Sequence, residues 1–478
     1  MKKVKRRAAS ALLIAALLVV GLAVYLVRLA DDGGAWASYF NGGTPGGTIL
    51  DRNGVVLYTS DDSGFSFAED WSTRVACYHL IGDTAGNIRT GALRQFRDKL
   101  AGYSFIEGAT SGQTISLTVD SALNVAAYSA LAGRNGAVIL MDYTTSEILC
   151  MVSSPGDDPA NPTSTPAEGT YLNKCLSSSF TPGSVFKLVT LAAAIDNIPD
   201  LFERSLWCEG SMIVDGAKLT CTGNHGSQTI EQALANSCNC AFGTLALELG
   251  PDIMAEYAEK LGITAPLTLD GMDVLPGSFT KGEEGSVGLA WSGVGQYEDL
   301  VCPYAMVRYV AAIANGGSVY EPTLLGRGKL DKETELLSAS TAQKISEMMN
   351  YNVQNAYGSW VFPGLNVSAK TGTAEVGDGT SHAWMTGFLN DPEHPYAFVV
   401  ILEHAGGGLA NAGPVANAVL QAAVAGGASY TAPTSRLRRK MVSQHTESAK
   451  SAETLTAARG LITSPSAPTM RLNAPMPM

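Results

Sequence analysis

The longest apolar run of the chain, residues 8 to 27, is uncharged over 20 positions and has ALLIAALLVV at its heart. At about 1.5 Å of rise per helical residue, such a run spans the roughly 30 Å hydrocarbon core of a bilayer. One membrane pass is expected. Lys2, Lys3, Lys5, Arg6 and Arg7 precede the run, whereas Arg28 is followed by Asp31 and Asp32. The positive-inside rule therefore reads residues 1–7 as a cytoplasmic basic segment, 8–30 as a signal anchor and the rest as extracytoplasmic. Ala35-Trp36-Ala37 resembles a cleavage site, but the apolar run is longer than a cleaved signal's usual stretch of about 7 to 15 residues and ends well upstream.

Beyond the anchor the periodicity changes several times. Residues 31 to about 112 are rich in Gly and Asp, with short alternating runs at Thr48-Ile49-Leu50 and Val55-Val56-Leu57-Tyr58 around the turn Asp51-Arg52-Asn53-Gly54, which predicts a small β-rich pedestal. From Thr114 the pattern tightens into a strand, ISLTV, a helix ending near Gly133, and two strands, Ala137 to Asp142 and Glu147 to Val152, joined by a Thr-Thr-Ser turn. Helical spacing follows in SVFKLVTLAAAI, Glu231 to Gly250 and Pro303 to Asn315. Strand patterns return at Leu365 to Glu375, Ala383 to Phe388 and Ala397 to Glu403, before a last helix over about Pro414 to Ala425. Strands enclosing a helical middle point to one mixed α+β domain over 113–430. Residues 431–478, rich in Ser, Thr, Ala and Pro, lack a core-forming pattern and read as a disordered tail.

Composition narrows the functional classes. The 478 residues are 46% hydrophobic and 16% charged, against roughly 25% charged in soluble domains. Between the basic first 28 and basic last 48 positions lie 19 basic and 42 acidic residues, so nucleic-acid binding by the body is not expected. Most of the eight cysteines stand singly in apolar or helical surroundings. Cys208 and Cys221 flank SMIVDGAKLT, a hairpin pattern turning at Asp215-Gly216 that would bring its ends together; a disulfide and two reduced thiols both fit there. Cys238 and Cys240 look like half a metal site, but no second Cys or His pair stands at zinc-ligand spacing. Packed helix thiols are the expectation, with no metal and no cofactor.

Gly-x-Ser-x-Gly, P-loop and His-Glu-x-x-His patterns do not occur in the sequence. What remains is serine with lysine. Ser184-Val185-Phe186-Lys187 follows Thr181-Pro182-Gly183 and opens an apolar-periodic helix, placing a hydroxyl at the positive helix end with an amine one turn on. A partly desolvated lysine is one established activator of a serine nucleophile. Ser-x-x-Lys is weak by itself, since on the order of two arise by chance in a chain this long. Pro276-Gly277-Ser278-Phe279-Thr280-Lys281 repeats it, yet runs into Gly282-Glu283-Glu284-Gly285, which breaks a helix. Ser278 is read as a decoy in a surface loop. The first copy is followed by Ser237-Cys238-Asn239, at the start of a helical segment, and Lys370-Thr371-Gly372-Thr373, in a strand-like stretch.

In this order and spacing the three elements resemble the penicillin-binding proteins and serine β-lactamases. Further likeness lies in Asp51-Arg52-Asn53-Gly54, the hairpin GAVILMDYTTSEILCMVSSP, Gly295-Gln296, Pro303, Ala314-Asn315-Gly316-Gly317 and His382-Ala383-Trp384. It covers about residues 45 to 425, and an anchor, short pedestal and transpeptidase domain without a glycosyltransferase module is the class B layout. The resemblance implies a mainly antiparallel five-stranded sheet packed against helices and a peptidoglycan D,D-transpeptidase. Ser184 would be the nucleophile and Lys187 its base. Ser237 would relay protons, Lys370 keep the pocket positive, and Asn239, Thr371, Gly372 and Thr373 bind substrate, with the N–H groups of Ser184 and Thr373 forming the oxyanion hole. It further implies stem peptides and lipid-linked precursor as substrates, β-lactams as inhibitors, and a membrane glycan polymerase as partner. A D,D-carboxypeptidase would share every motif, and a mainly scaffolding role is the remaining alternative. The Glu-x-x-Leu-Asn element that positions water in class A β-lactamases does not occur.

Overall fold

The computed structural model describes residues 2–31, 46–61, 63–101, 112–326 and 333–426. The expected tail at 431–478 and the Ala35-Trp36-Ala37 stretch lie outside them. The apolar run is the helix Lys2–Asp31, whose span Lys2–Val27 is long and apolar enough to cross a membrane and is unburied by the rest of the protein.

The central sheet follows from strands that are apolar on both faces. Five antiparallel strands run in the order Val367–Glu375, Ser381–Leu389, Tyr396–Leu402, Gly136–Asp142, Ile148–Ser154. Successive side chains of a strand point to opposite faces. Accordingly Val138, Leu140, Val400 and Leu402 pack with Leu123, Val415 and Leu420, while Ile139, Met141, Val399 and Ile401 pack with Val189, Leu191 and Val310. One face is covered by the helices Ser121–Leu131 and Gly408–Val424, the other by Pro303–Ala314 and Ala339–Asn352. This is why the strands read as unbroken hydrophobic runs. Full burial of one such side chain contributes about 1.5–3 kcal/mol, and Ile139 is fully buried. A carboxylate there would forfeit that and add a desolvation cost.

The pedestal is a four-stranded sheet ordered Gly64–Phe67, Val56–Asp61, Gly47–Leu50, Thr114–Ser116. Its last member is part of the ISLTV run expected to open the next domain. That segment pairs in parallel with Gly47–Leu50, so the run after residue 112 supplies the fourth strand of this sheet. Asp51 fastens the two parts. Its carboxylate accepts from the N–H groups of Asn53 and Val55, at 2.8 Å each, and from the Ser121 hydroxyl at 2.7 Å. A second tie is the bidentate Arg74–Asp158 pair, at 2.8 and 2.9 Å.

Two helix boundaries depart from the pattern. The helix expected over Glu231 to Gly250 is two helices, Ile230–Ala235 and the first part of Asn239–Lys260, which is interrupted at Gly250 (φ 77°) where the pattern ends. They are broken where Ser237 takes φ 51°, a left-handed conformation that ends a helix. The last helix begins at Gly408 and runs through Pro414, because its first turn lies against the sheet: a Cβ on Gly408 would stand 2.3 Å from the Gly372 carbonyl oxygen.

Candidate active site

Ser184 lies in a one-turn 3-10 helix, Gly183–Val185, that feeds the helix Lys187–Asn197. That helix is buried from Lys187 through Ala194, so Lys187 is drawn inward with its helix and its amine is fully desolvated. The amine nonetheless has four oxygen partners. Lys187 Nζ lies 3.0 Å from Ser184 Oγ, 3.1 Å from Ser237 Oγ, 2.6 Å from the Ser237 carbonyl and 2.7 Å from Asn239 Oδ1. The break in the helix at Ser237 is what turns both its hydroxyl and its carbonyl toward this amine.

Lys370 enters from the opposite side, on Val367–Glu375, also fully buried. Its Nζ donates to Ser237 Oγ at 3.1 Å and to the Thr371 carbonyl at 3.0 Å. Burial is the main force holding Lys187 down from 10.5 to about 7. Burial and then the neighbouring Lys187 push Lys370 well below the ordinary amine range. Two buried amines sharing one hydroxyl oppose double protonation.

The strand and the serine turn approach at backbone distance. A Cβ on Gly372 would stand 2.7 Å from the Pro182 carbonyl oxygen, and one on Gly183 would stand 2.8 Å from that of Thr373. Only glycine at 372 permits this closeness, which brings the chain at Ser184 beside that at Thr373. Trp384, fully buried on the next strand, donates to the Thr181 carbonyl at 2.9 Å and fixes the turn from behind. A cleft of about 620 Å³ opens over the group, lined by Ser184, Ser237, Asn239, Thr371 and Thr373 together with Trp291 and Tyr297.

The structure thus brings together the eight site residues expected from the sequence. Ser278 is elsewhere: its hydroxyl donates to the Glu298 carbonyl at 3.0 Å, and Lys281 pairs with Asp252. Sequence reasoning missed Tyr357, whose phenolic oxygen accepts from the Thr371 N–H at 3.1 Å and stands 3.2 Å from its hydroxyl. It also missed Trp291, Tyr297 and Glu375 on the cleft wall. None of these sits in a recognisable pattern; only the tertiary fold assembles them.

The hairpin Ser211–Val214 with Ala217–Thr220 forms as expected, with Asp215 and Gly216 at φ 48° and 73°, the geometry of a tight type I′ turn. It brings the sulfurs of Cys208 and Cys221 within 4.8 Å of each other, as the hairpin pattern implied, with no S–S bond between them. The hairpin carries Cys221 to the second catalytic element, where its sulfur accepts from the Asn239 N–H at 3.2 Å.

The family pattern described as the penicillin binding protein transpeptidase domain matches residues 136–421. The chain is 25% identical over 387 residues to the peptidoglycan D,D-transpeptidase PbpA of Mycobacterium tuberculosis, covering 70% of this chain and 77% of that protein. It is 32% identical over 263 residues to the stage V sporulation protein D of Bacillus subtilis, covering 50% of this chain and 40% of that protein. The D,D-transpeptidase domain of a peptidoglycan glycosyltransferase from Eggerthella lenta superposes with a TM-score of 0.67 at 25% identity, covering 80% of this chain and 98% of that one. Penicillin-binding protein A of M. tuberculosis, solved as a ceftriaxone acyl-enzyme, shares the fold with a TM-score of 0.67 at 22% identity, over 81% of this chain and 100% of that one. With an apolar N-terminal helix long enough to cross a membrane and the transpeptidase pattern matched over residues 136–421, the chain belongs to the penicillin-binding protein transpeptidase family as a class B member.

Proposed function

We propose that the protein is a serine-type peptidoglycan D,D-transpeptidase and penicillin target in which Ser184 carries the acyl group. The observation that carries the assignment is the 3.0 Å contact of Ser184 Oγ with a buried amine held near neutrality. Neutral Lys187 takes the hydroxyl proton as Oγ attacks the carbonyl carbon between the two terminal D-alanines. The C–N bond breaks, and the proton returns through Lys187 and Ser237 to the leaving D-alanine nitrogen. An amine of a neighbouring stem peptide then attacks the ester, its lost proton restores the Ser184 hydroxyl, and a new amide forms.

The other roles follow from position. Asn239, tied at Nδ2 to the Thr220 carbonyl at 2.9 Å, borders the cleft where a peptide amide would lie. Thr371 and Thr373 offer hydroxyls to the terminal carboxylate, and an arriving carboxylate supplies the negative charge that favours a protonated Lys370. The N–H groups of Ser184 and Thr373 serve the oxyanion, where loss of one donor typically costs about 100- to 1,000-fold. β-Lactams are inhibitors because attack by Ser184 opens their ring amide and leaves a long-lived penicilloyl-type ester, with the cleaved amine still attached to the acyl group.

In this reading residues 1–7 are cytoplasmic, 8–30 anchor the chain, the pedestal meets a membrane glycan polymerase and 113–430 face the outside. The five basic residues before the apolar run support that orientation. Protease added outside intact cells should digest the body and spare the anchor; full-length chain released to the medium would contradict it. The activity is tested on lipid-linked pentapeptide with products read by mass. Cross-linked dimer exceeding trimmed tetrapeptide is the predicted result. Tetrapeptide and free D-alanine alone, at high acceptor concentration, would replace the transpeptidase with a carboxypeptidase.

A further inference from the structure

Beside the acylation machinery, four side chains with no part in it converge. Cys208 ends the strand Leu206–Cys208, Cys221 follows the hairpin, His225 precedes the strand Gly226–Gln228, and Cys238 caps the helix Asn239–Lys260. Their ligand atoms all lie within 4.8 Å of one another. Cys221 Sγ is 3.8 Å from Cys238 Sγ and 3.6 Å from His225 Nδ1. Around a tetrahedral zinc with Zn–S near 2.3 Å and Zn–N near 2.05 Å, the S–S edge is about 3.8 Å and the S–N edge about 3.6 Å. Backbone N–H groups already face the sulfurs. Gly210 donates to Cys208 at 3.4 Å, Asn239 to Cys221 at 3.2 Å and Ala241 to Cys238 at 3.4 Å, the outer hydrogen bonds that orient and stabilise thiolate ligands.

We propose that Cys208, Cys221, His225 and Cys238 bind one zinc ion as a closed structural site. Three soft thiolates and an imidazole at tetrahedral edges select zinc over hard cations such as calcium or magnesium. With all four positions supplied by the protein, no coordination site is left for a reacting water, so the ion acts by holding chain together. What it holds is specific. Cys238 stands between Ser237 and Asn239, so the ion locks the second catalytic element to the hairpin and sets how both neighbours meet Lys187. Cys238, expected from the sequence as a packed helix thiol beside Cys240, instead meets His225, Cys221 and Cys208, 13, 17 and 30 positions upstream, and only Cys221 and His225 of the four are near neighbours in the chain.

The test uses the full-length protein, purified in detergent without chelator, with metal content by mass spectrometry as the first readout. Wild type should hold about one zinc per chain, and cobalt exchanged into it should show the thiolate-to-metal charge-transfer band of tetrahedral thiolate coordination. Cys221→Ser and Cys238→Ala should lose the metal, while Cys302→Ala, remote from the cluster, should keep it. To separate loss of metal from loss of fold, wild type stripped by a strong chelator is measured as well. Its penicillin acylation should drop on the order of 100-fold and return on adding zinc, since a displacement of about 1 Å at a catalytic group has that scale of effect. Protein without zinc that acylates at the full rate would overturn the site. So would a Cys208–Cys221 or Cys221–Cys238 disulfide in unreduced peptides of active protein.

Discussion

Lys187 and Lys370 approach one hydroxyl from opposite sides, each with its Nζ 3.1 Å from Ser237 Oγ. Their shared burial disfavours two charges in the pair, and this has a consequence for pH. Lys187 is a base only when neutral, and its value of about 7 places that change in the neutral range. Penicillin acylation of the wild type should rise with pH through about 7 and then level off, as followed by stopped-flow or gel labelling. A rate still climbing toward 10 would mean an ordinary lysine. Stability carries the same sign: between about 7 and 10.5 the unfolded lysine binds a proton that the folded one does not, so folding is penalised below this window and relieved above it. The stability deficit of wild type relative to Lys187→Met should therefore shrink as pH rises through that window.

Tyr357 is a positioning residue for Thr371. Removing its hydroxyl leaves the half-buried Thr371 N–H without this partner, a cost at the low end of the roughly 1–3 kcal/mol of a fully buried donor. Tyr357→Phe should slow acylation about tenfold, on the low side of that range. The weakening should appear in the apparent affinity for penicillin, with attachment still at Ser184. An unchanged saturation curve would remove Tyr357 from the site.

Lys174, buried, pairs with the Glu403 carboxylate and donates to the Ser154 carbonyl at 2.8 Å. The pair joins the loop after one edge strand to the end of the strand Tyr396–Leu402. Glu403→Ala leaves a buried charge alone and should cost about 3–5 kcal/mol in urea unfolding, whereas Lys174→Met with Glu403→Leu should be close to neutral. Equal losses in the single and double variants would contradict the pairing.

Much of this architecture was legible because burial on both sheet faces writes itself as apolar runs: the strands around Val138–Met141 and Ala397–Leu402 are found within two residues of their expected ends. The three catalytic elements were legible because each carries its chemistry within four consecutive positions. What was hidden is tertiary. The break at Ser237 is a left-handed residue in an otherwise helical pattern, and no glycine or proline marks it. The start at Gly408 was masked by Pro414, which reads as a helix beginning when taken locally. Tyr357 reaches Thr371 from a turn 14 residues away, and Cys221 meets Cys238 across a hairpin and a helix. Pairings of that kind depend on where elements land, which local spacing does not encode.

The central claim is that Ser184, not the nearly identical Ser278, becomes acylated. Full-length protein treated with a penicillin is digested, and the modified peptide is sequenced by mass spectrometry, with Ser184→Ala and Ser278→Ala treated alongside. The account predicts a single penicilloyl adduct on Ser184, lost in Ser184→Ala and unchanged in Ser278→Ala. An adduct on Ser278, or labelling that survives Ser184→Ala, would contradict it.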